Sequence, residues 1–248
     1  MKLKLLSYNI KLGGVGREEF IASVINAEAP DIVMLQEAQR PDVVARVARA
    51  AGMGTVIAMR GRSLACISRV PIASYRYARP LFSQHAFLEV VPEGVDARIF
   101  GLHLSAVHAA WTEQRRVREL RSILKITRKY DGSLHLLTGD FNTLAPNEAL
   151  DVSRLPYRLR VLVWLSGGRI RWQTIAIMLG ANYVDAFRVC QATGPGYTFP
   201  TWDPHVRLDY AFLPKPFADR IVGCGVVTEP ADVTRASDHF PLRIELHS

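Results

Sequence analysis

The chain has 248 residues, 49% of them apolar and 22% charged, and a formal net charge of +8 in which arginine far outnumbers lysine. This composition excludes a disordered chain, and three widely spaced cysteines (Cys66, Cys190, Cys224) exclude a disulfide framework or a cysteine zinc site. The positive balance tilts toward a polyanionic partner, either nucleic acid or an acidic membrane surface.

No Pro/Gly/Ser linker, charge block, low-complexity stretch or internal repeat divides the sequence, so residues 1–248 read as one domain. The opening Met1–Ile10 has no signal-peptide apolar region or cleavage site, and no apolar stretch is long enough to span a membrane. A cytoplasmic location is expected.

In chain order, Leu3–Ile10 predicts a first strand. Arg17–Ala27 carries Phe20, Ile21, Val24 and Ile25 at helical spacing and is closed by Pro30. A second buried strand covers 31–37 and ends on the carboxylate Glu37. Val43–Ala51 is an alanine-rich helix, followed by strands near Val56–Met59, Leu64–Ser68, Ala86–Val91 and Ala97–Leu104. A helix opens at Thr112 and runs to about Tyr130, with Val117, Leu120 and Leu124 inward. Arg115, Arg118, Arg121, Lys125, Arg128 and Lys129 occupy its other face, as a solvated stripe or a track for backbone phosphates.

A strand at Leu134–Leu137 is followed by Gly139-Asp140-Phe141-Asn142. Asp140 and Asn142 leave the strand end two residues apart, on the same side, with a glycine to turn the backbone. Taken alone, the quartet fits an Asx-type turn as well as a metal or phosphate site. Leu155–Leu179 mixes Arg154, Arg158, Arg160, Arg169 and Arg171 with Trp164 and Trp172 and reads as two short helices broken at Gly167-Gly168. It is either an amphipathic cover over the core or a surface for lipid headgroups or unpaired bases. The last third returns to strands at Arg207–Leu213, Ile221–Val227 and Phe240–Leu246. Strands interleaved with helices, several joined without one, predict mixed sheets in a layered α/β or α+β fold.

Polar residues recur where apolar runs end: Asn9, Glu37, His103, Asp140, Asn142, Asp209, Asp238 and His239. One such residue is usually structural; a set of them at strand edges is a costly way to build a core unless it does chemistry. Hard oxygen donors without cysteine suit magnesium, with manganese as the alternative. An acid beside a histidine, with a second acid to orient it, supplies proton transfer or charge stabilisation for phosphoester cleavage.

Six segments, Ser7-Tyr8-Asn9-Ile10, Leu35-Gln36-Glu37, His103-Leu104, Gly139-Asp140-Phe141-Asn142, Arg207-Leu208-Asp209-Tyr210 and Ser237-Asp238-His239, match one family in type, order and approximate spacing. The chain resembles the endonuclease/exonuclease/phosphatase superfamily, the DNase I-like phosphohydrolases. The resemblance implies an α/β four-layer sandwich of two packed mixed β-sheets flanked by helices, with a divalent-metal cleft at the strand edges.

By this resemblance Glu37 is the principal magnesium ligand, with Asn9 beside the metal and Asp238 lining the cleft. Asp140 positions or activates the attacking water, Asn142 and His103 bind phosphate oxygens, and His239 is general base or charge stabiliser, oriented by Asp209. Apurinic-site endonucleases of the superfamily carry tyrosine where His103 stands. The chain is therefore more similar to the DNase, sphingomyelinase, inositol-phosphatase and tyrosyl-DNA phosphodiesterase branches. Thr198-Phe199-Pro200-Thr201-Trp202-Asp203 is similar to the aromatic stretch that precedes the Asp209 segment in the family, and makes Trp202 a substrate-contacting candidate. The implied activity is a magnesium-dependent phosphodiesterase or nuclease acting on nucleic acid, or else a phospholipid-headgroup or small-molecule phosphoesterase. No obligate protein partner is evident in the sequence.

Overall fold

In the computed structural model the described residues are 2–80, 83, 86–106, 110–146, 148, 151–154, 157, 160–161, 164 and 172–247. Their strands form two six-stranded mixed sheets. In the first the order is β11 (Ile221–Val226), β12 (Leu242–His247), β1 (Lys2–Asn9), β2 (Ile32–Gln36), β4 (Ala65–Ser68) and β3 (Thr55–Ile57). In the second it is β5 (Ile72–Ala78), β6 (Phe87–Pro92), β7 (Arg98–His103), β8 (His135–Asp140), β10 (Asp209–Pro214) and β9 (Tyr183–Asp185).

The alternation of side chains along each strand explains the layering. Leu3 and Leu5 of β1 join Ile32 and Met34 of β2, Ile99 of β7, Leu136 of β8 and Ala211 and Leu213 of β10 in the core between the sheets. The intervening Leu6 and Tyr8 turn outward, with Val33 and Leu35, onto α1 (Glu18–Glu28) and α2 (Pro41–Ala50). Phe100, Leu102, Leu137, Tyr210 and Phe212 turn outward from the second sheet onto Leu120 and Ile123 of α3 (Ala110–Thr127) and Ile175 and Met178 of α4 (Thr174–Gly180). Each fully buried Leu or Ile in these layers contributes about 1.5–3 kcal/mol of transfer free energy. Two further short helices are α5 (Ala186–Cys190) and α6 (Val233–Ala236). Helix, sheet, sheet and helix give the expected α/β four-layer sandwich. No helix among the described residues is long and apolar enough to cross a membrane.

Two strands escaped the sequence reading. β5 is an edge strand whose middle residues, Ala73–Arg76, are exposed, so it shows no apolar run. β9 is only three residues long. The proposed break at Gly167-Gly168 lies outside the described residues, together with Leu155, Arg158, Arg169 and Arg171; the end of that stretch is α4.

Candidate active site

Each sheet contains one parallel pair, β1 with β2 and β7 with β8. Asn9, His103 and Asp140 are the last residues of β1, β7 and β8, and Glu37 follows β2. The antiparallel neighbours begin where these strands finish: Leu242 of β12 pairs with Ser7, and Asp209 of β10 pairs with Asp140. Asp209, and His239 just before β12, therefore reach the same edge from the opposite direction.

The inner faces bring them together. Asn9 continues the Leu3, Leu5, Ser7 row of β1, and Asp140 continues the Leu136, Thr138 row of β8. Asp209 extends the Leu213, Ala211 row of β10, and His103 extends the Ile99, Gly101 row of β7. The site is the inter-sheet core carried past the point where it stops being apolar.

Asn9 bridges two acids: its Nδ2 donates to Asp140 Oδ2 at 3.0 Å and to Glu37 Oε1 at 3.3 Å. Glu37 Oε2 accepts from Leu12 N–H at 2.6 Å, and Glu37 takes a left-handed backbone conformation with φ 57°. His239 Nδ1 lies 2.9 Å from Asp209 Oδ2, and its Nε2 is 3.9 Å from Asp140 Oδ2. His103 Nε2 is 3.8 Å from the same Asp140 oxygen, while its Nδ1 meets Ser63 Oγ. Asp140, Asp209 and His239 are all buried.

The quartet is both a turn and part of the site. Asp140 Oδ1 accepts from Asn142 N–H at 2.8 Å, an Asx-type closure, while Asp140 Oδ2 faces Asn9 and the two histidines. Asn142, with φ 52°, commits its Nδ2 to Leu104 O at 3.1 Å. Gly139 has a different job from the one read in the sequence. It stays within β8 at φ 145°, and a Cβ there would fall 1.9 Å from Leu102 O. It permits a close approach of backbone, and the turn comes after it.

The charges are set by surroundings. Burial pushes the Asp140 carboxyl up to about 7; the charge of His239 opposes this and that of Asp209 adds to it. Burial acts to lower His239, but the charge and hydrogen bond of Asp209, with the charge of Asp140, overcome it and hold the imidazole up at about 9. Both groups are raised, which sets a carboxyl that titrates near neutral beside an imidazole held cationic.

Asp238 sits on the rim. Its Oδ2 pairs with Lys11 Nζ at 3.0 Å, and Lys11 also lies 5.6 Å from the Trp202 ring centroid. These three residues line a cavity of about 410 Å³ with Leu12, Val15 and Arg17. Trp202 is 69% exposed there. Phe199 packs on the His239 ring with centroids 4.8 Å apart. A larger cavity of about 630 Å³, lined by Ile175, Leu179, Arg188 and Val189, holds none of the predicted site residues. What distinguishes the candidate site is the convergence of Asn9, His103, Asp140, Asp209 and His239 at one strand edge, and not cavity volume.

The residues fit a small hard cation. Glu37 and Asp140 present carboxylate oxygens joined through one carboxamide, and Asp209 Oδ1 is buried without a hydrogen-bond partner among the described residues. No group of three or more His, Cys, Asp or Glu among the described residues forms an all-protein cage. Magnesium, held by one or two carboxylates with its own waters, needs none.

Three site residues were missed in the sequence. Ser63 Oγ shares a hydrogen bond with His103 Nδ1 and accepts from Glu37 N–H at 3.3 Å. Ser237 Oγ donates to Asn9 O at 2.6 Å and thereby ties the His239 loop to β1. Thr198 Oγ1 accepts from Leu208 N–H at 3.0 Å beside Asp209. Single hydroxyls in loops carry no pattern; Ser237 and Thr198 lie in segments singled out for their neighbours without a role of their own, and Ser63 lies in none.

Comparison with known proteins bears on the fold and the family. The fold resembles the 3' phosphatase NExo from Neisseria bound to product DNA hairpin, with TM-score 0.74, 17% identity, and 99% and 100% of the two chains covered. It resembles an AP endonuclease from Archaeoglobus fulgidus, with TM-score 0.75, 18% identity and the same coverage. It also resembles D. rerio TDP2 complexed with single strand DNA product, with TM-score 0.69, 19% identity, and 100% and 99% covered. At these identities the likeness is one of fold, and it includes both an AP endonuclease and TDP2, so it singles out no branch. No curated protein sequence matches the chain. The profile of the Endonuclease/Exonuclease/phosphatase family matches residues 6–239. With the match running from β1 through His239, the chain belongs to that family of phosphoester hydrolases.

Proposed function

We propose that this protein is a magnesium-dependent phosphodiesterase, a nuclease acting on nucleic acid. The observation that carries the reading is Asp140, buried between Asn9, His103 and His239, with a raised pKa and a cationic imidazole beside it. Asp140 takes the proton of the attacking water. His239, held protonated by Asp209, faces the charge that gathers on the phosphate oxygens, and His103 flanks it. Glu37, with Asn9 beside it, would hold the metal, which when bound neutralises phosphate charge and polarises the reacting oxygens. Asp238 and Lys11 close the rim. Trp202 offers its exposed face to the substrate.

Nucleic acid is favoured as substrate by the net charge of +8 and by the solved relatives bound to a DNA hairpin product and to single strand DNA product. A second reading, hydrolysis at a phospholipid headgroup on an acidic membrane, draws on Tyr157 and Trp164, which are 77% and 74% exposed in the arginine-rich stretch. One panel decides between them: labelled single- and double-stranded DNA, RNA and phospholipid vesicles, each with magnesium, with manganese and with EDTA. Magnesium-dependent cleavage of nucleic acid, abolished in His239→Ala and Glu37→Ala, is expected. Cleavage of vesicle lipid alone hands the case to the second reading, and full activity in either variant overturns the site.

A further inference from the structure

The outer face of α3 carries a charge pattern that the reaction centre does not use. At 100° per residue, Arg115, Arg118, Arg121 and Lys125 of α3 fall within a sector of about 120°, and Arg128 and Lys129 of the 3₁₀ turn that follows carry the row to a length of about 21 Å. All six are exposed. The helix's two acids, Glu113 and Glu119, point inward and are buried. Among the described residues, the one acid within ion-pairing range of the stripe is Glu119, 3.9 Å from Arg115.

Some solvent-facing arginines elsewhere are paired with acids, whereas Arg49, Arg60 and Arg220 are isolated single cations that form no stripe. Arg40 pairs with Asp42, Arg46 with Glu18 and Asp42, Arg76 with Glu89, and Arg243 with Glu28. A solubilising face mixes signs in this way. On α3, neighbouring cations at three and four residues' spacing repel, each pair costing a few tenths of a kcal/mol. A bound polyanion reverses the sign of that interaction.

Position gives the stripe a direction. Its first turns are fastened to the active-site edge: Arg116 Nη1 donates to Ser105 O at 2.7 Å, two residues past His103, and Glu113 accepts from Thr143 Oγ1 at 2.9 Å, next to Asn142. Its far end opens into a cleft of about 570 Å³ against α4, lined by Arg121, Lys125 and Arg128 opposite Gly180 and Ala181. No acid lines that cleft, and a Cβ on Gly180 would meet nothing within 4 Å, so the cationic wall is open to a ligand.

We infer that the outer face of α3 is a second, non-catalytic nucleic-acid contact, a track for the phosphate backbone of a strand whose scissile bond lies at Asp140 and His239. The inference rests on the nucleic-acid reading above. One DNA strand carries a phosphate every 3.4 Å of helix axis, so the stripe spans about six phosphates. Backbone contact of this kind is independent of sequence and adds affinity in proportion to strand length.

The test is fluorescence-anisotropy binding of long (roughly 30-nucleotide) and short (roughly 6-nucleotide) labelled DNA across a salt series, in EDTA so that nothing is cleaved. The R121Q/K125Q/R128Q variant is compared with wild type and with R40Q/R46Q, which removes two acid-paired cations from α2. The triple variant should lose about tenfold or more in affinity, the loss confined to long DNA, and its slope of log K against log salt on single-stranded DNA should be shallower by about 2.1. The α2 control should match wild type. An unchanged slope, an equal loss in the α2 control, or loss of binding to phosphatidylserine vesicles with DNA binding intact overturns the track. Wild type that cleaves DNA while the triple variant binds it normally sinks the track alone; wild type that binds no DNA sinks both readings.

Discussion

His239 Nδ1 and Asp209 Oδ2 lie 2.9 Å apart in a buried cleft, so the charge on an imidazole that precedes β12 is governed by a carboxylate at the start of β10 in the other sheet. Burial alone would favour neutral imidazole; Asp209 is what reverses it. His239 is raised above its unfolded value near 6.5, to about 9. Its contribution to stability is therefore complete below about pH 6.5 and is lost as pH rises through about 9. An NMR titration should show His239 protonated at neutral pH, with a midpoint near 9. In Asp209→Asn the hydrogen bond can persist but the charge is gone, and the midpoint should fall below the ordinary histidine value. A midpoint unchanged by that substitution would remove Asp209 as the cause.

Asn9 holds Glu37 and Asp140 through a single Nδ2, at 3.3 and 3.0 Å. Asn9→Ala should leave both carboxylates in place but unconstrained. Groups that orient metal ligands typically contribute 10–100-fold to metal affinity or activity. The half-saturating magnesium concentration should rise by about that range, and a magnesium titration of hydrolysis reads it. Wild-type magnesium dependence in the variant would show that Asn9 has no part in ordering the acids.

Gly139→Ala would place a methyl group 1.9 Å from the Leu102 carbonyl oxygen, on backbone at φ 145°. β7 and β8 must separate or the residue must change conformation. A loss of about 3 kcal/mol or more is expected in urea unfolding, or failure to fold at all. A loss below about 1 kcal/mol would mean that the parallel pair relaxes freely, against the packing seen here.

Arg116 is fully buried, with Nε and Nη2 on Glu113 Oε2 at 3.1 and 2.9 Å and Nη1 on Ser105 O. Arg116→Met strips that partner from a buried carboxylate that also accepts from Gln173 N, Thr174 N and Thr174 Oγ1. Breaking a buried pair from one side costs about 3–5 kcal/mol, readable as a shift of the denaturation midpoint. The Ser105 segment after His103 should loosen with it.

The layered fold was legible because strands buried on both faces read as apolar runs with polar ends, as β1, β2 and β8 do, while β12 shows the alternation of a strand with one covered face. Asn9, Glu37, Asp140, Asp209 and His239 stood out because each interrupts such a run. What the sequence hid is local and conformational. Edge strand β5 has no buried middle, and Ser63 and Ser237 act through one hydroxyl each. Gly139 looked like a turn residue because close approach between strands is visible only once β7 lies beside β8. Asn142 was placed beside Asp140 by period-two alternation, but its left-handed backbone takes it out of the strand and onto Leu104 O.

β12, the last strand, is inserted between β1 and β11, and Ser237 reaches from its approach loop to the end of β1. Loss of that approach loop and strand would take away His239 and leave β1 and β11 without the neighbour they share, while the Asp140–Asp209 pairing of the second sheet does not pass through β12. The pairing of Asp209 with His239 is therefore a contact between the two sheets, made only where both are complete.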